Sequence, residues 1–414
     1  MPSVRPVSPP EPDLDGETLI ARAAALRPML RDQGPAGDKR GWYGEEIHEA
    51  IRAAGLYRVV QPRLFGGYQQ DFATFLKVIM EIARGHPASG WCYTLASSHA
   101  FLVASHWSAE AQAELFGDGD FRACQRATPA GEWKRVEGGY VISGTFGYCS
   151  GSPVSTHFVG AGVVEGEGAG GKRKGLNFIV PRAKYEVLDD WGNEATIGMS
   201  GSGSNSIRLA DVFVPDRHIT SNDVLLTTER MPEGGSPGLK LHGDPLYVGV
   251  IGGAYLTEFG AIMTGAARAA LDEFEIVIRT QTTLTFEGKV PMVETADTQR
   301  IFGKAMNLVD SADGLTMAAV HMVMDQWRAY AENGRRITND DTLKAWGMAQ
   351  EACDLACRAV EMLFHASGPR SANGGERMAR YFRDVQAYRV HVTAQPFWQT
   401  MRAQNHLGLS GGRL

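Results

Sequence analysis

The 414-residue sequence has no apolar run long enough to cross a membrane. Its amino-terminal stretch carries prolines at positions 2, 6, 9, 10 and 12 where a signal peptide would have its apolar segment. Basic excess is missing as well. Lys and Arg number 41 against 47 Asp and Glu, a net charge of −6, so neither nucleic acid nor an anionic membrane is an expected partner. The compact basic cluster Lys172-Arg173-Lys174 sits among glycines and reads as solvated. Cysteine is scarce: Cys92, Cys124, Cys149, Cys353 and Cys357 are odd in number, and no pair has zinc-finger spacing. Free thiols in a reducing compartment and no metal centre are therefore expected. No internal repeat is visible. These absences predict a soluble, cytoplasmic protein, and 43% hydrophobic residues in a chain of this length suffice for two or three domains.

What is present falls into three blocks, and the spacing predicts domains over residues 1–118, 119–228 and 229–414. In the first, Leu19, Ile20, Ala23, Ala24, Leu26 and Leu30 trace an amphipathic helix that Pro35 and Gly37 are expected to end. A second helix over Glu45–Ala54 is stopped by Gly55, and a third starts near Asp71 and turns Phe72, Phe75, Leu76, Ile79 and Ile82 inward. Ala88 to His106 lacks a polar face and reads as one buried helix. His99 within it needs a partner; on spacing alone it reads first as a satisfied core histidine.

From about residue 120 to 220 the pattern changes to short strand-like runs without helices between them, which predicts an antiparallel sandwich or barrel. Its most informative stretch is Gly138 to Gly151, rich in β-branched and aromatic residues, which reads as a strand, a turn and a second strand ending at Ser150. The glycine- and charge-rich run Glu165 to Gly175 reads as a hairpin tip. Beyond the connector Met231 to Gly238, helical patterns over Pro245–Gln281, Thr295–Asn333, Thr338–Ala366 and Glu376–Asn405 have wide apolar stripes, as in a four-helix bundle.

This order of helices, β-domain and bundle, an α+β arrangement, resembles the acyl-CoA dehydrogenase fold. Three motifs carry the resemblance: Gly144-Thr145-Phe146-Gly147-Tyr148-Cys149-Ser150-Gly151, then Asp189-Asp190-Trp191 with Ile197 to Asn205, then Arg383-Asp384 in the last helical block. Where the dehydrogenases carry a catalytic glutamate after that Arg-Asp pair, this chain has Val392, with His391 beside it. In this it is similar to the two-component flavin-dependent monooxygenases of the same fold (group D), which include hydroxyphenylacetate, steroid-phenol and dibenzothiophene monooxygenases. They carry a histidine at this position and another matching His99.

The resemblance implies a mechanism and its residues. A separate NAD(P)H–flavin reductase supplies FMNH2 or FADH2, which reacts with O2 to a C4a-hydroperoxyflavin that hydroxylates an aromatic, phenolic substrate. Ser150 would hold flavin N5, and His391 would be the base: a neutral imidazole, pKa about 6.5, assists loss of a phenolic proton, pKa about 10. Placed on one helix, Asp384, Ala387, Tyr388 and His391 share a face. His99 would hydrogen-bond substrate or peroxide. Gln125 lies on the strand entering the β-domain; Arg279 and Arg370 match places where relatives meet the flavin phosphate, and Arg370 reads equally as a surface arginine. Trp191 stacks by the flavin or is core. Trp91, Tyr93 and Tyr388 are candidates for the substrate pocket. The resemblance also implies a homotetramer. The alternatives are an acyl-CoA dehydrogenase or oxidase, an N- or S-oxygenating monooxygenase on the same fold, and a flavin fold kept for binding without turnover.

Overall fold

The structure, a computed structural model, describes residues 5–117, 119–166, 173–192, 195–221, 226–229, 231–286, 288–373 and 375–409. It opens with helices Gly16–Ala25 (α1), Arg27–Arg40 (α2), Glu45–Ala53 (α3) and Phe72–Gly85 (α4). Pro87–Ser97 (α5), His99–His106 (α6) and Ala109–Phe116 (α7) follow. Asp71 caps α4 by accepting from Thr74 N at 2.7 Å, and the inward apolar stripe expected from the sequence is buried. Two expectations fail here. Helix α2 runs through Pro35 to Arg40, with Gly34 packed so closely on His86 that a Cβ would come within 2.9 Å of its ring; it ends at Gly41, φ +96°. The 88–106 segment is two helices, since Thr94 and Ser97 bond back to Gly90 O and Tyr93 O at 2.7 Å each and bend the chain at Ser98.

The β-region contains Ala123–Arg126 (β1), Glu132–Val136 (β2), Gly139–Phe146 (β3), His157–Val164 (β4), Lys174–Pro181 (β5), Glu186–Val187 (β6), Ile207–Pro215 (β7) and Ile219–Ser221 (β8). They form two four-stranded sheets, ordered β1-β4-β5-β8 and β2-β3-β7-β6. The pairing is antiparallel except for β1 with β4, which is parallel, so the all-antiparallel expectation is corrected at one ladder. Phe146, Phe158, Phe178 and Tyr140 fill the space between the sheets. Gly162 is required there: a Cβ would come within 2.2 Å of the Trp133 ring. Gly138 to Gly151 holds one strand, not two. β3 crosses Gly144 with a register shift and ends at Phe146, and the chain then leaves the sheet toward Ser150. β4 and β5 pair antiparallel as the hairpin expectation requires, while residues 167–172 of its tip, Lys172 included, lie outside the described residues.

After Pro237–His242 (α8) comes Gly252–Thr280 (α9), then a small hairpin, Thr282–Thr285 (β9) with Gly288–Pro291 (β10). Ala296–Asn333 (α10), Asn339–Ala366 (α11), Arg377–Arg389 (α12) and Phe397–His406 (α13) complete the chain. The last helical block is therefore broken. Pro396 cannot continue a helix, and Gln395 Nε2 turns back to Arg389 O and His391 O at 3.2 Å each. The helices at both ends share one hydrophobic core, with α4 packed on α9, and the sheets enclose a second.

Candidate active site

The segment after β3 is held against both helical blocks. Ser150 is 9% exposed, and its Oγ receives a hydrogen bond from Trp91 Nε1 at 3.0 Å. It also pairs with Ser204 Oγ at 2.8 Å, and Ser204 pairs in turn with Ser202 Oγ at 2.7 Å. The backbone beside this chain of hydroxyls is strained: Tyr148 and Met199 are non-glycine residues at φ +60° and +56°. Trp191 packs edge-on to Tyr148, centroids 5.7 Å apart, and its Nε1 is buried without an acceptor among the described residues.

Trp91 joins this rim to the bundle. Its ring lies 4.9 Å from Phe259 of α9, 5.1 Å from His391 at 85°, and 6.4 Å from Tyr388 of α12. His391 and Phe259 are 5.2 Å apart. His391 does not lie on the helix of Tyr388; it follows the end of α12 with ψ 149° and caps the next turn. Thr393 N donates to its Nδ1 at 3.3 Å, and Thr393 Oγ1 is 2.8 Å from the same atom. Accepting from the amide puts the neutral ring's proton on Nε2. The threonine hydroxyl can instead accept from a protonated Nδ1, which frees the Nε2 lone pair. Burial lowers the His391 pKa to about 4, so the ring is neutral at pH 7. Val392, at the position of the dehydrogenase base, is 53% exposed.

His99 opens α6 and is fully enclosed; its Nδ1 donates to Ala123 O at 2.6 Å, which leaves Nε2 as the acceptor. Burial lowers its pKa to about 4, against the pull of that backbone contact and of the Gln125 side chain nearby. Gln125 on β1 is half-buried. The His99 ring meets Tyr255 of α9 edge-on at 5.9 Å.

The Arg-Asp motif has a structural task. Asp384 is buried at the back of the Met199 turn, where its Oδ1 accepts from Met199 N at 2.6 Å. Burial, then the charge of Asp38, raises its pKa to about 7. Asp38 itself stays low: burial pushes it up, but His86 at 3.4 Å and Arg380 at 2.9 Å outweigh that. Gly198 fits under this anchor, where a Cβ would lie 2.1 Å from Arg383 O. The network thus fixes the turn that carries Ser202 and Ser204.

Three expected site residues stand elsewhere. Tyr93 is wholly buried, donates to Leu56 O at 2.8 Å and packs on Tyr57 and Phe75, because it projects from the face of α5 opposed to that core. Arg279 is exposed and paired with Glu275 at 2.8 Å, and from Phe259 to Arg279 the helix rises about 30 Å. Arg370 is exposed, 3.5 Å from Glu376. Sequence reasoning missed Phe259, Ser202, Ser204 and Glu258. The serines lie inside a quoted motif, but its glycine-serine run gives no sign of which hydroxyls turn inward; Glu258 and Phe259 sit in an otherwise small, apolar helix face.

A Trp191 donor with no acceptor among the described residues, linked hydroxyls at Ser150 and a glycine-lined turn suit the polar edge of a flavin ring. Residues 257–396 match the family described as acyl-CoA dehydrogenase, C-terminal domain. The flavin-dependent monooxygenase oxygenase subunit HsaA of Rhodococcus jostii (strain RHA1) is 27% identical over 378 residues, covering 91% of this chain and 94% of that one. The p-hydroxyphenylacetate 3-hydroxylase oxygenase component of Acinetobacter baumannii is 24% identical over 388 residues, covering 92% and 86%. The structure of XiaF from Streptomyces sp. in complex with FADH2 and glycerol superposes with a TM-score of 0.84 at 21% identity, over 95% and 96% of the two chains. Over nearly its whole length the chain is thus similar to the oxygenase components of flavin-dependent monooxygenases, and its carboxy-terminal part matches the acyl-CoA dehydrogenase C-terminal domain.

Proposed function

We propose that the protein hydroxylates a phenolic substrate at the wall formed by Trp91, Phe259, Tyr388 and His391, with reduced flavin held at Ser150. The observation that carries this is the buried, neutral His391 facing Trp91, the residue that also donates to Ser150. Reduced flavin, when bound, supplies with dioxygen the electrons and the oxygen atom. Ser150, Ser204 and Trp191 bind and orient its polar edge. His391 takes the phenolic proton at Nε2 while Nδ1 keeps its proton against Thr393 Oγ1, which raises electron density on the substrate ring. His99, fixed by Ala123 O, accepts a hydrogen bond at Nε2, with Gln125 beside it. Trp91, Phe259 and Tyr388 exclude water. Arg279 and Arg370, both exposed, would meet a flavin phosphate only in a neighbouring subunit's site, which a homotetramer would provide. FMN and FAD are both compatible with these contacts.

The test is product analysis with a separate reductase, NADH, flavin and a panel of phenols, indoles, thiophenes and amines. The expected result is hydroxylated phenol formed in step with oxygen uptake. Oxygenation confined to sulfur or nitrogen would move the chemistry to the corresponding alternative. Bleaching of bound flavin by an acyl-CoA thioester would replace the oxygenase reading with a dehydrogenase.

A further inference from the structure

Helix α9 presents Tyr255, Glu258 and Phe259 at spacings of three and four residues, on one side of the helix. Phe259 meets Trp91 and His391, and Tyr255 meets His99. Glu258, between them, is 1% exposed, and its Oε1 has no hydrogen-bond partner among the described residues. The Tyr255 and Ser98 hydroxyls are likewise buried and make no hydrogen bond of good geometry among the described residues, although Ser98 lies close to the Glu258 carboxyl. Burial holds the Glu258 carboxyl far above its ordinary range, and Ser98 is near enough to offset only part of that. Burial and the nearness of Glu258 keep the Tyr255 phenol protonated as well. The Glu258 Oε1 and the Tyr255 hydroxyl would each cost the fold about 1–3 kcal/mol if nothing ever met them.

We infer that Ser98, Tyr255 and Glu258 form a second polar subsite of the substrate cavity, which takes an uncharged, oxygen-bearing substituent of the aromatic ring: a hydroxyl, keto or amide group. The inference rests on the oxygenase reading and narrows its substrate class. All three groups donate and accept hydrogen bonds without net charge, which suits a neutral oxygen. An anionic substituent would be desolvated with no cation among these groups to receive it. An ammonium would need Glu258 ionised in a place that disfavours the charge.

The experiment is calorimetric titration of the purified protein with four phenols of similar shape: 4-hydroxyacetophenone, 4-isopropylphenol, 4-hydroxybenzoate and 4-hydroxybenzylamine. 4-Hydroxyacetophenone is expected to bind about tenfold or more tightly than 4-isopropylphenol, with the two charged phenols weaker still. Glu258→Leu should erase that preference, and Glu258→Gln should keep most of it. The Leu variant is expected to melt no lower than the parent protein, since a buried unpaired carboxyl is replaced by an apolar group. Equal affinity for the two neutral phenols, preference for either charged one, binding of none, or a preference that survives Glu258→Leu would each overturn the subsite. Product formation from bound phenols with reduced flavin reports separately on the oxygenase reading, so binding preference without turnover sinks that reading and leaves the subsite standing.

Discussion

Lowering the pH from 7.5 to 5.0 is expected to destabilise this protein through its histidines. His99, His106, His157, His242 and His391 all have pKa values lowered to about 4, in each case first by burial. In the unfolded chain they titrate near 6.5. Between those values the unfolded state binds protons that the folded state refuses, so the stability present above about pH 6.5 is lost as pH falls toward 4. Each imidazole then costs about 2 kcal/mol at pH 5. Two carboxyls oppose this, because Asp384, raised to about 7, and Glu258, raised by burial, gain protons in the folded state first. Asp384 returns about 2.5 kcal/mol between pH 7.5 and 5.0, and Glu258 can return no more than about 3.4 over that interval, so a net loss of about 4 kcal/mol remains, a large part of an ordinary domain's stability. For a chain of 414 residues this corresponds to a melting temperature roughly 5 °C lower. The assay is calorimetric or circular-dichroism melting across that range, with His391→Gln expected to lose about 2 kcal/mol of the pH dependence. A melting temperature that is flat or rises toward pH 5.0 would refute the claim that the site histidines are held neutral.

His391→Ala is expected to cut hydroxylation about 100-fold while reduced flavin is still oxidised, the difference appearing as hydrogen peroxide in a catalase-linked oxygen assay. Thr393→Val keeps the shape but removes the hydroxyl that steadies Nδ1; turnover of a phenol should fall about tenfold with little change in KM, and an unchanged kcat would remove Thr393 from the proton path. Ser150→Ala and Ser204→Ala should each lower the yield of product per reduced flavin, with the double variant no worse than the poorer single one; additive losses would mean the hydroxyls act separately. Asp384→Ala, which leaves the Met199 amide and the Asp38 network uncompensated, is expected to cost about 3–5 kcal/mol in denaturant titration. Asp384→Asn, which keeps the acceptor, should cost far less.

The elements were legible where local pattern and burial agree. The α4 stripe, the long bundle helices and the change from helical to strand periodicity near residue 120 all follow from side-chain spacing. Tertiary contacts decided the rest. Pro35 signals a stop, yet α2 continues, with Gly34 packed against His86 and Arg380 from distant parts of the chain, contacts no local window contains. His391 reads as helical with Tyr388, but Pro396 and the Gln395 side chain turn the chain first, and the ring reaches Trp91 by another route. Tyr93 and Trp91 are two residues apart on α5, so only the position of the surrounding helices tells which faces the site. Glu258 was invisible for a different reason: one acid in a helix reads as a solvated position until its burial is known.

The cysteines acquire a consequence in a protein of this chemistry. All of them are buried, Cys149 immediately beside Ser150, and burial pushes each thiol up, Cys353 and Cys124 to about 12. Thiolates, the forms that oxidants attack, are thereby almost absent at neutral pH. An oxygenase that turns over without capturing its substrate releases hydrogen peroxide into its own surroundings. This chain keeps its sulfur nucleophiles protonated and enclosed, so wasted cycles spend reducing power without first damaging the catalyst that made them.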